Sequence, residues 1–252
     1  MIDIHSHILY GLDDGSKDLE QSVAMVRMAG ENGTTDIVAT PHSNLEYRFQ
    51  PELVEARIAE LQKAAGPTPR IHYGCDFHLS YDNIQDAVAH PGRYSINHNG
   101  YLLVEFSDLT IFHTTTQIFE QLLAAGLAPV ITHPERNLLL QQRLEQLKSW
   151  AEMGVAIQVT GQSFLGRFGN RAQEFSEALM KERLVHFVAS DAHDLKHRTT
   201  DLSEVRNHLV DHYGEPAAAS LLVGNPRAAL DGRPLEPVPE PAPRRKWFSF
   251  LR

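Results

Sequence analysis

Tyr101-Leu102-Leu103-Val104-Glu105-Phe106 decides how this chain is to be read. An apolar run of strand length ends in a carboxylate. A buried carboxylate without a partner is costly, so Glu105 calls for a cation or a set of donors where the strand stops. Working outward, the same layout recurs. Ala128–Thr132 runs into His133-Pro134-Glu135-Arg136, Asp36–Thr40 into Pro41-His42, and Arg70–Cys75 into Asp76. His186–Ser190 runs into Asp191-Ala192-His193, and the opening run Ile2–His5 continues to His7. Ala156–Thr160 is a seventh β-branched run. Between these runs, Leu19–Glu31, Pro51–Ala65, Thr115–Ala125, Leu140–Met153, Ala172–Lys181 and Leu202–His212 have helical period, with Gly33, Gly126 and Gly154 placed as C-terminal stops. Short strands alternating with helices predict βα units around a parallel sheet, a pattern in which sites are built at the C-terminal strand ends.

The bulk numbers bound what such a site can do. The chain has 252 residues, 42% of them hydrophobic, enough for one large domain or two small ones. Its formal charge of −9 argues against a nucleic-acid binder, and a phosphorylated substrate would need cations placed in the site itself. One cysteine, Cys75, allows no intrachain disulfide. The start, Met-Ile-Asp-Ile-His, has no basic or apolar leader, and no apolar stretch reaches the roughly 18 residues of a spanning helix. A cytoplasmic protein that is not transmembrane is therefore expected. After Gly232 the proline density rises, which predicts a domain over residues 1–232 and, over 233–252, an extended linker with a disordered basic and aromatic tail. That tail, Arg244 to Arg252, also has the composition of a docking peptide.

The polar residues at the strand ends are of metal-ligand type. In His5-Ser6-His7, alternation along an extended chain turns both imidazoles to one side. Asp13-Asp14-Gly15 offers a carboxylate on a tight turn, and the sequence leaves the choice between the two aspartates open. With His42, Asp76, Glu105, His133, Asp191 and His193, there are more candidates than one ion can use, so two or three divalent ions are implied. Arg136 and Arg198 are the candidates for holding a phosphoryl group, because a guanidinium fork matches two oxygens. Cys75 is read as a buried strand residue, since no arginine stands where a thiolate phosphate loop would need one.

In this order the motifs resemble the PHP (polymerase and histidinol phosphatase) superfamily over roughly residues 1–200. Within it, His5 to Ser16, Ala39-Thr40-Pro41-His42, His133 to Asn137 and Ser190 to His193 are similar to the metal-dependent tyrosine phosphatases of capsule and exopolysaccharide operons. The resemblance implies a distorted (β/α)7 TIM-like barrel and a trinuclear centre, commonly manganese, with Zn²⁺ or Fe compatible with the ligand types. It assigns His5, His7, Glu105 and Asp191 to one ion and has Asp76 and His133 share or complete a second. Asp14 (or Asp13), His42 and His193 would hold a third. Asp76 stands where the family more often has glutamate, which shortens that ligand by one methylene. The implied partner is the phosphotyrosine tail of a bacterial tyrosine kinase that regulates polysaccharide synthesis, and the family includes oligomers, so a homo-oligomer is compatible. Two rival readings remain at this stage. One is a small-molecule phosphatase of the histidinol-phosphate type. The other is a non-catalytic protein with structural metal, which the donor count disfavours because structural sites are closed four-ligand cages.

Overall fold

A computed structural model describes residues 1–240. Its strands are β1 (Ile2–Ser6), β2 (Asp36–Ala39), β3 (His42–Ser43), β4 (Arg70–Tyr73), β5 (Asp76–His78), β6 (Tyr101–Glu105), β7 (Ala128–Thr132), β8 (Ala156–Thr160) and β9 (Phe187–Ala189). The helices are α1 (Leu19–Glu31), α2 (Pro51–Ala65), α3 (Tyr81–Ala89), α4 (Thr115–Ala124), α5 (Leu144–Glu152), α6 (Gly161–Phe164), α7 (Asn170–Lys181), α8 (Ser203–Tyr213), α9 (Glu215–Ala219) and α10 (Asn225–Leu230). The result is a mixed α/β fold in which every strand pair is parallel. Parallel pairing requires crossovers, and the helices supply them. Each of the seven sequence-read strands is present, and α1 and α2 have the expected bounds. Leu140–Met153 instead divides into a 3-10 turn at Leu140–Gln142 and α5, and α3, α6, α9 and α10 were not anticipated.

The described strands form two sheets, β1-β2-β4 and β3-β5-β6-β7-β8-β9, rather than one closed ladder. The reason lies in two breaks. Pro41 has no amide hydrogen to continue the ladder, so the second strand stops at Ala39 and restarts as β3. Gly74 sits so close to β2 that a Cβ there would meet Val38 Cγ1 at 2.7 Å, and the third strand restarts as β5. Both restarts transfer a ligand-type residue to the second sheet, where His42 pairs with Asp76 and His78 with Glu105. The sheets meet again at the other end, where Asp191 N donates to His5 O and His7 N to Ala192 O. All the parallel strands thus present their C-terminal ends to one region.

Packing fixes this frame. Phe106, Phe119 and Trp150 stack against one another beneath α4 and α5, and Ile4, Leu103, Val130 and Phe187 join β1 to the second sheet. The first part of the proline-rich segment carries neither helix nor strand, and it lies against the body of the protein. Leu235 and Val238 pack on the core, and Tyr101 Oη donates to Arg233 O. The basic and aromatic close of the chain lies outside the described residues. Among those described, no helix is long and apolar enough to cross a membrane.

At the N-terminal end of β2, away from the ligand-type residues, Asp36 accepts from Thr35 Oγ1 (2.9 Å) and Arg227 (2.6 Å) and lies 2.9 Å from His72 Nε2 and 3.0 Å from Arg70. Burial opposes its charge, but His72, Thr35 and Arg227 outweigh it and hold the carboxyl below its usual range. Asp36→Ala should cost about 2–3 kcal/mol, less than the roughly 3–5 kcal/mol of a fully buried pair because both arginines keep contact with water. In a thermal melt near neutral pH that is a drop of roughly 5–10 °C. Because the folded-state pKa is depressed, the contribution is complete above the unfolded carboxyl's pKa and is lost as pH falls through the folded one. The difference between wild type and variant should therefore shrink in acid, and a difference independent of pH would refute this account.

Candidate metal centre

Local geometry brings the strand-end residues together. His5 and His7, two apart at the end of β1, turn to the same side, and their Nε2 atoms are 3.2 Å apart. Asp13-Asp14-Gly15 folds back over them. A Cβ on Gly15 would fall 2.2 Å from His7 O, so only glycine lets this turn pack so closely. The turn also gives the two aspartates different partners. Asp13 accepts from His7 Nδ1 (2.7 Å) and from the amides of Gly15 and His42, whereas Asp14 Oδ1 reaches forward to within 3.4 Å of both His42 Nε2 and His193 Nε2. His133 and Asp191 sit at positive φ, 35° and 50°. Such backbone is sparsely populated for residues other than glycine and recurs at functional sites.

The nine predicted donors fall into four overlapping groups, in each of which the donor atoms lie within 4.8 Å of one another. His7, Asp14, His42 and His193 form the first, and His5, His7 and Asp76 the second. His5, His133 and Asp191 form the third, and His42, Asp76 and Glu105 the fourth. Glu105 thus keeps company with His42 and Asp76, with its Oε2 3.4 Å from His42 Nδ1, and not with His5 and His7. Separations of 3.4 Å between His5 Nε2 and Asp76, 3.5 Å to Asp191, and 3.4 Å between His7 Nε2 and Asp191 recur through the cluster. Ligands about 2.1 Å from an ion in tetrahedral array are about 3.4 Å from one another, so the spacing suits shared divalent cations.

Two further observations fit the same occupant. Asp76 is fully buried, and neither carboxylate oxygen has a hydrogen-bond partner. His42 Nδ1, 3.2 Å from Asp76 Oδ2, is likewise buried and unpartnered. Protein interiors rarely leave a carboxylate in that state. The imidazoles are also held so that one nitrogen faces inward. His5 Nδ1 donates to Gln158 Oε1 (2.9 Å), His7 Nδ1 to Asp13, and His193 Nδ1 to Asp191 O (3.0 Å), leaving each Nε2 aimed at the cluster. Electrostatics divides the histidines. Burial works against charge on His5, but Asp76 and Asp191 raise its pKa to about 9. Burial and the neighbouring His7 lower His193 to about 4, and burial with Arg136 lowers His133 well below its usual value.

Arg136 and Arg198 both reach the site and are tied to a single oxygen, Asp191 Oδ2, Arg198 at 2.5 Å. Neither guanidinium stands free. About a quarter of each side chain stays exposed. The Arg136 guanidinium is also held over the Phe168 ring at 4.3 Å. Sequence reasoning missed the supporting groups. Gln158 lies mid-pattern in an apolar strand, and Asp3 accepts from Ser190 N and Oγ (3.0 and 2.5 Å), which fastens the loop bearing Asp191. Glu135 is buried and accepts from Thr160 N and Ser163 Oγ. Burial raises its pKa to about 7. A polar residue at an inward strand position was the available signal for both Asp3 and Gln158.

Residues 1–231 match the family described as capsular polysaccharide synthesis, CpsB/CapC. The tyrosine-protein phosphatase YwqE of Bacillus subtilis is 34% identical over 256 residues, covering all of both chains. The tyrosine-protein phosphatase CpsB of Streptococcus pneumoniae is 29% identical over 239 residues, covering 91% of this chain and 98% of the relative. A crystal structure from work on these same two proteins, described there as unique metal-dependent tyrosine phosphatases, superposes with a TM-score of 0.87. It is 33% identical and covers 97% of this chain and 100% of its own.

The Gly15 contact gives a direct check on the centre. Gly15→Ala must displace His7 or the aspartate turn. The affinity of the purified protein for added Mn²⁺, followed by titration calorimetry, should fall by roughly 10–100-fold, the cost of disturbing the groups that orient a ligand. Unchanged affinity would show that the turn does not shape the site.

Proposed function

The chain belongs to the capsular polysaccharide synthesis CpsB/CapC family, and from that membership we propose that it is a metal-dependent protein-tyrosine phosphatase. Its substrate in this reading is phosphotyrosine on a bacterial tyrosine kinase that regulates capsule or exopolysaccharide synthesis, and its compartment is the cytoplasm. The observation that carries the reading is Asp76, a buried carboxylate without hydrogen-bond partners at the junction of two donor groups and beside the imidazoles of His5, His7 and His42. The finer fold reading is a distorted (β/α)7 barrel, supported by the shared direction of the strands and the backbone bonds from the loop after β9 to the end of β1.

Two or three divalent ions, manganese in this reading, would be held by His5, His7, Asp14, His42, Asp76, Glu105, His133, Asp191 and His193. Such ions lower the pKa of an attacking water and offset charge on transferring phosphoryl oxygens. The chain's own residues supply the rest. Arg136 and Arg198 bind the phosphoryl oxygens through the guanidinium edges that Asp191 leaves exposed, and a planar fork suits two oxygens at once. Phe168 keeps Arg136 in place from the opposite side. Gln158, Asp13 and the carbonyl of Asp191 hold the imidazoles in the orientation that leaves Nε2 available.

The decisive experiment strips the purified protein with a chelator, restores single divalent metals, and measures phosphate release from a phosphotyrosine peptide and from histidinol phosphate. Peptide turnover that needs metal, is abolished in His5→Ala and His193→Ala, and falls about 100-fold in Arg136→Ala and Arg198→Ala is expected. Turnover of histidinol phosphate in preference to the peptide would replace this substrate by a small phosphomonoester. No turnover of either with any metal would end the enzymatic reading.

A further inference from the structure

Arg136 is a wall shared by two hollows. On one side is a small pocket of about 100 Å³ beside Glu105 and His133. On the other is an open cleft of about 500 Å³ lined by Leu138, Gln141, Phe168, Asn170 and Arg171. The cleft thus borders, through Arg136, the small pocket that Glu105 and His133 line. Its apolar wall is held in place. Asn137 Oδ1 accepts from the amides of Leu139 and Leu140 while its Nδ2 donates to Ser107 O, and this pinned loop keeps Leu138 56% exposed. Phe168 stands between Gly166 and Gly169, both at positive φ, with Gly169 N donating to Gly166 O. An exposed leucine in the same cleft as a ring already stacked on an arginine is apolar surface on which a side-chain stem can lie.

The cleft also has a sign. No aspartate or glutamate lines it. Arg136 is engaged by Asp191, whereas Arg171, on the first turn of α7, pairs with no carboxylate among the described residues. Arg167, four residues earlier in the chain, is by contrast paired with Glu204. On a chain of net charge −9, an arginine without a partner beside the catalytic region is a local attractor for an anion.

We propose that this cleft is a peptide subsite that selects an acidic residue flanking the phosphotyrosine, its methylene stem lying on Leu138 and Phe168 and its carboxylate on Arg171. The proposal rests on the phosphatase reading above and adds to it a sequence preference. A glutamate meets both requirements, because a long side chain can lay its stem on apolar surface while its charged end reaches a partner. The contact acts on binding, so it belongs to KM and leaves the chemical step to the metal centre.

The test uses the metal-loaded full chain and its Arg171→Ala and Arg171→Glu variants. The substrates are phosphotyrosine peptides with glutamate, glutamine or lysine next to the phosphotyrosine on either side, together with p-nitrophenyl phosphate, which has no flanking residue. The wild type should favour glutamate over glutamine through KM by roughly three- to fivefold, the size of a partly exposed ion pair. Arg171→Ala should flatten that preference, and Arg171→Glu should reverse it in favour of lysine. A wild type that treats the three peptides alike, or Arg171 variants that keep the glutamate preference, would overturn the subsite while p-nitrophenyl phosphate turnover leaves the phosphatase reading standing. Failure of the wild type on p-nitrophenyl phosphate as well as on every peptide would sink the phosphatase reading, and the subsite with it.

Discussion

Five imidazoles and four carboxylates share one small volume at the strand ends, and much of the surrounding backbone is shaped by the need to hold them there. Charged and polar groups at such density are stable only if each has a partner, and a hydrogen-bond network alone does not supply enough of them, as the bare oxygens of Asp76 show. The local irregularities of the fold are where this demand is met. Pro41 and Gly74 end two strands early so that His42 and Asp76 restart side by side in the second sheet. Gly15 allows the aspartate turn to lie against His7. His133 and Asp191 take left-handed backbone, a cost that regular packing would not incur and that the convergence of donors offsets.

Much of this was legible in the sequence because it rests on two strong local signals. A β-branched run that stops at a histidine or carboxylate marks both a strand and the end of the strand that matters, and the residues it singled out, with the aspartate turn after β1, come together in the structure. What stayed hidden depends on tertiary contacts. That Asp14 and not Asp13 falls in a donor group follows from His7 Nδ1 occupying Asp13, a contact six residues away along a turn. The division into two sheets follows from how closely Gly74 approaches β2. Glu105 is a strand-end residue in either case, yet its grouping with His42 and Asp76 comes from the β5–β6 register, which sets it opposite His78. Helix α3 escaped because it is short and buries only Ile84 and Ala87, so its apolar face is too sparse to carry a period.

In the proposed function, the arginines are how a net acidic chain would receive an anion. Arg136 and Arg198 converge on Asp191 Oδ2, which neutralises part of their charge but fixes both guanidinium groups at the edge of the donor cluster. Positions fixed in advance by packing, as Phe168 fixes Arg136, spare a bound phosphoryl group the cost of ordering flexible side chains. On a chain of net charge −9, anion attraction at such fixed arginines would favour a phosphorylated side chain over an extended polyanion.

Asp36 and Asp76 make the distinction between structure and function concrete. Both are buried carboxylates next to histidine on parallel strands, and both are held ionised against the effect of burial. Asp36 is complete: Thr35, His72, Arg70 and Arg227 surround it, and nothing more could be added without displacing one of them. Asp76 has two histidines at 3.2 and 3.4 Å and no hydrogen-bond donor on either oxygen. Burial and charge are common to the two sites. They differ in whether the hydrogen-bonding capacity is exhausted, and an unexhausted buried carboxylate keeps its place in a stable fold when a further partner, here a divalent cation, completes it.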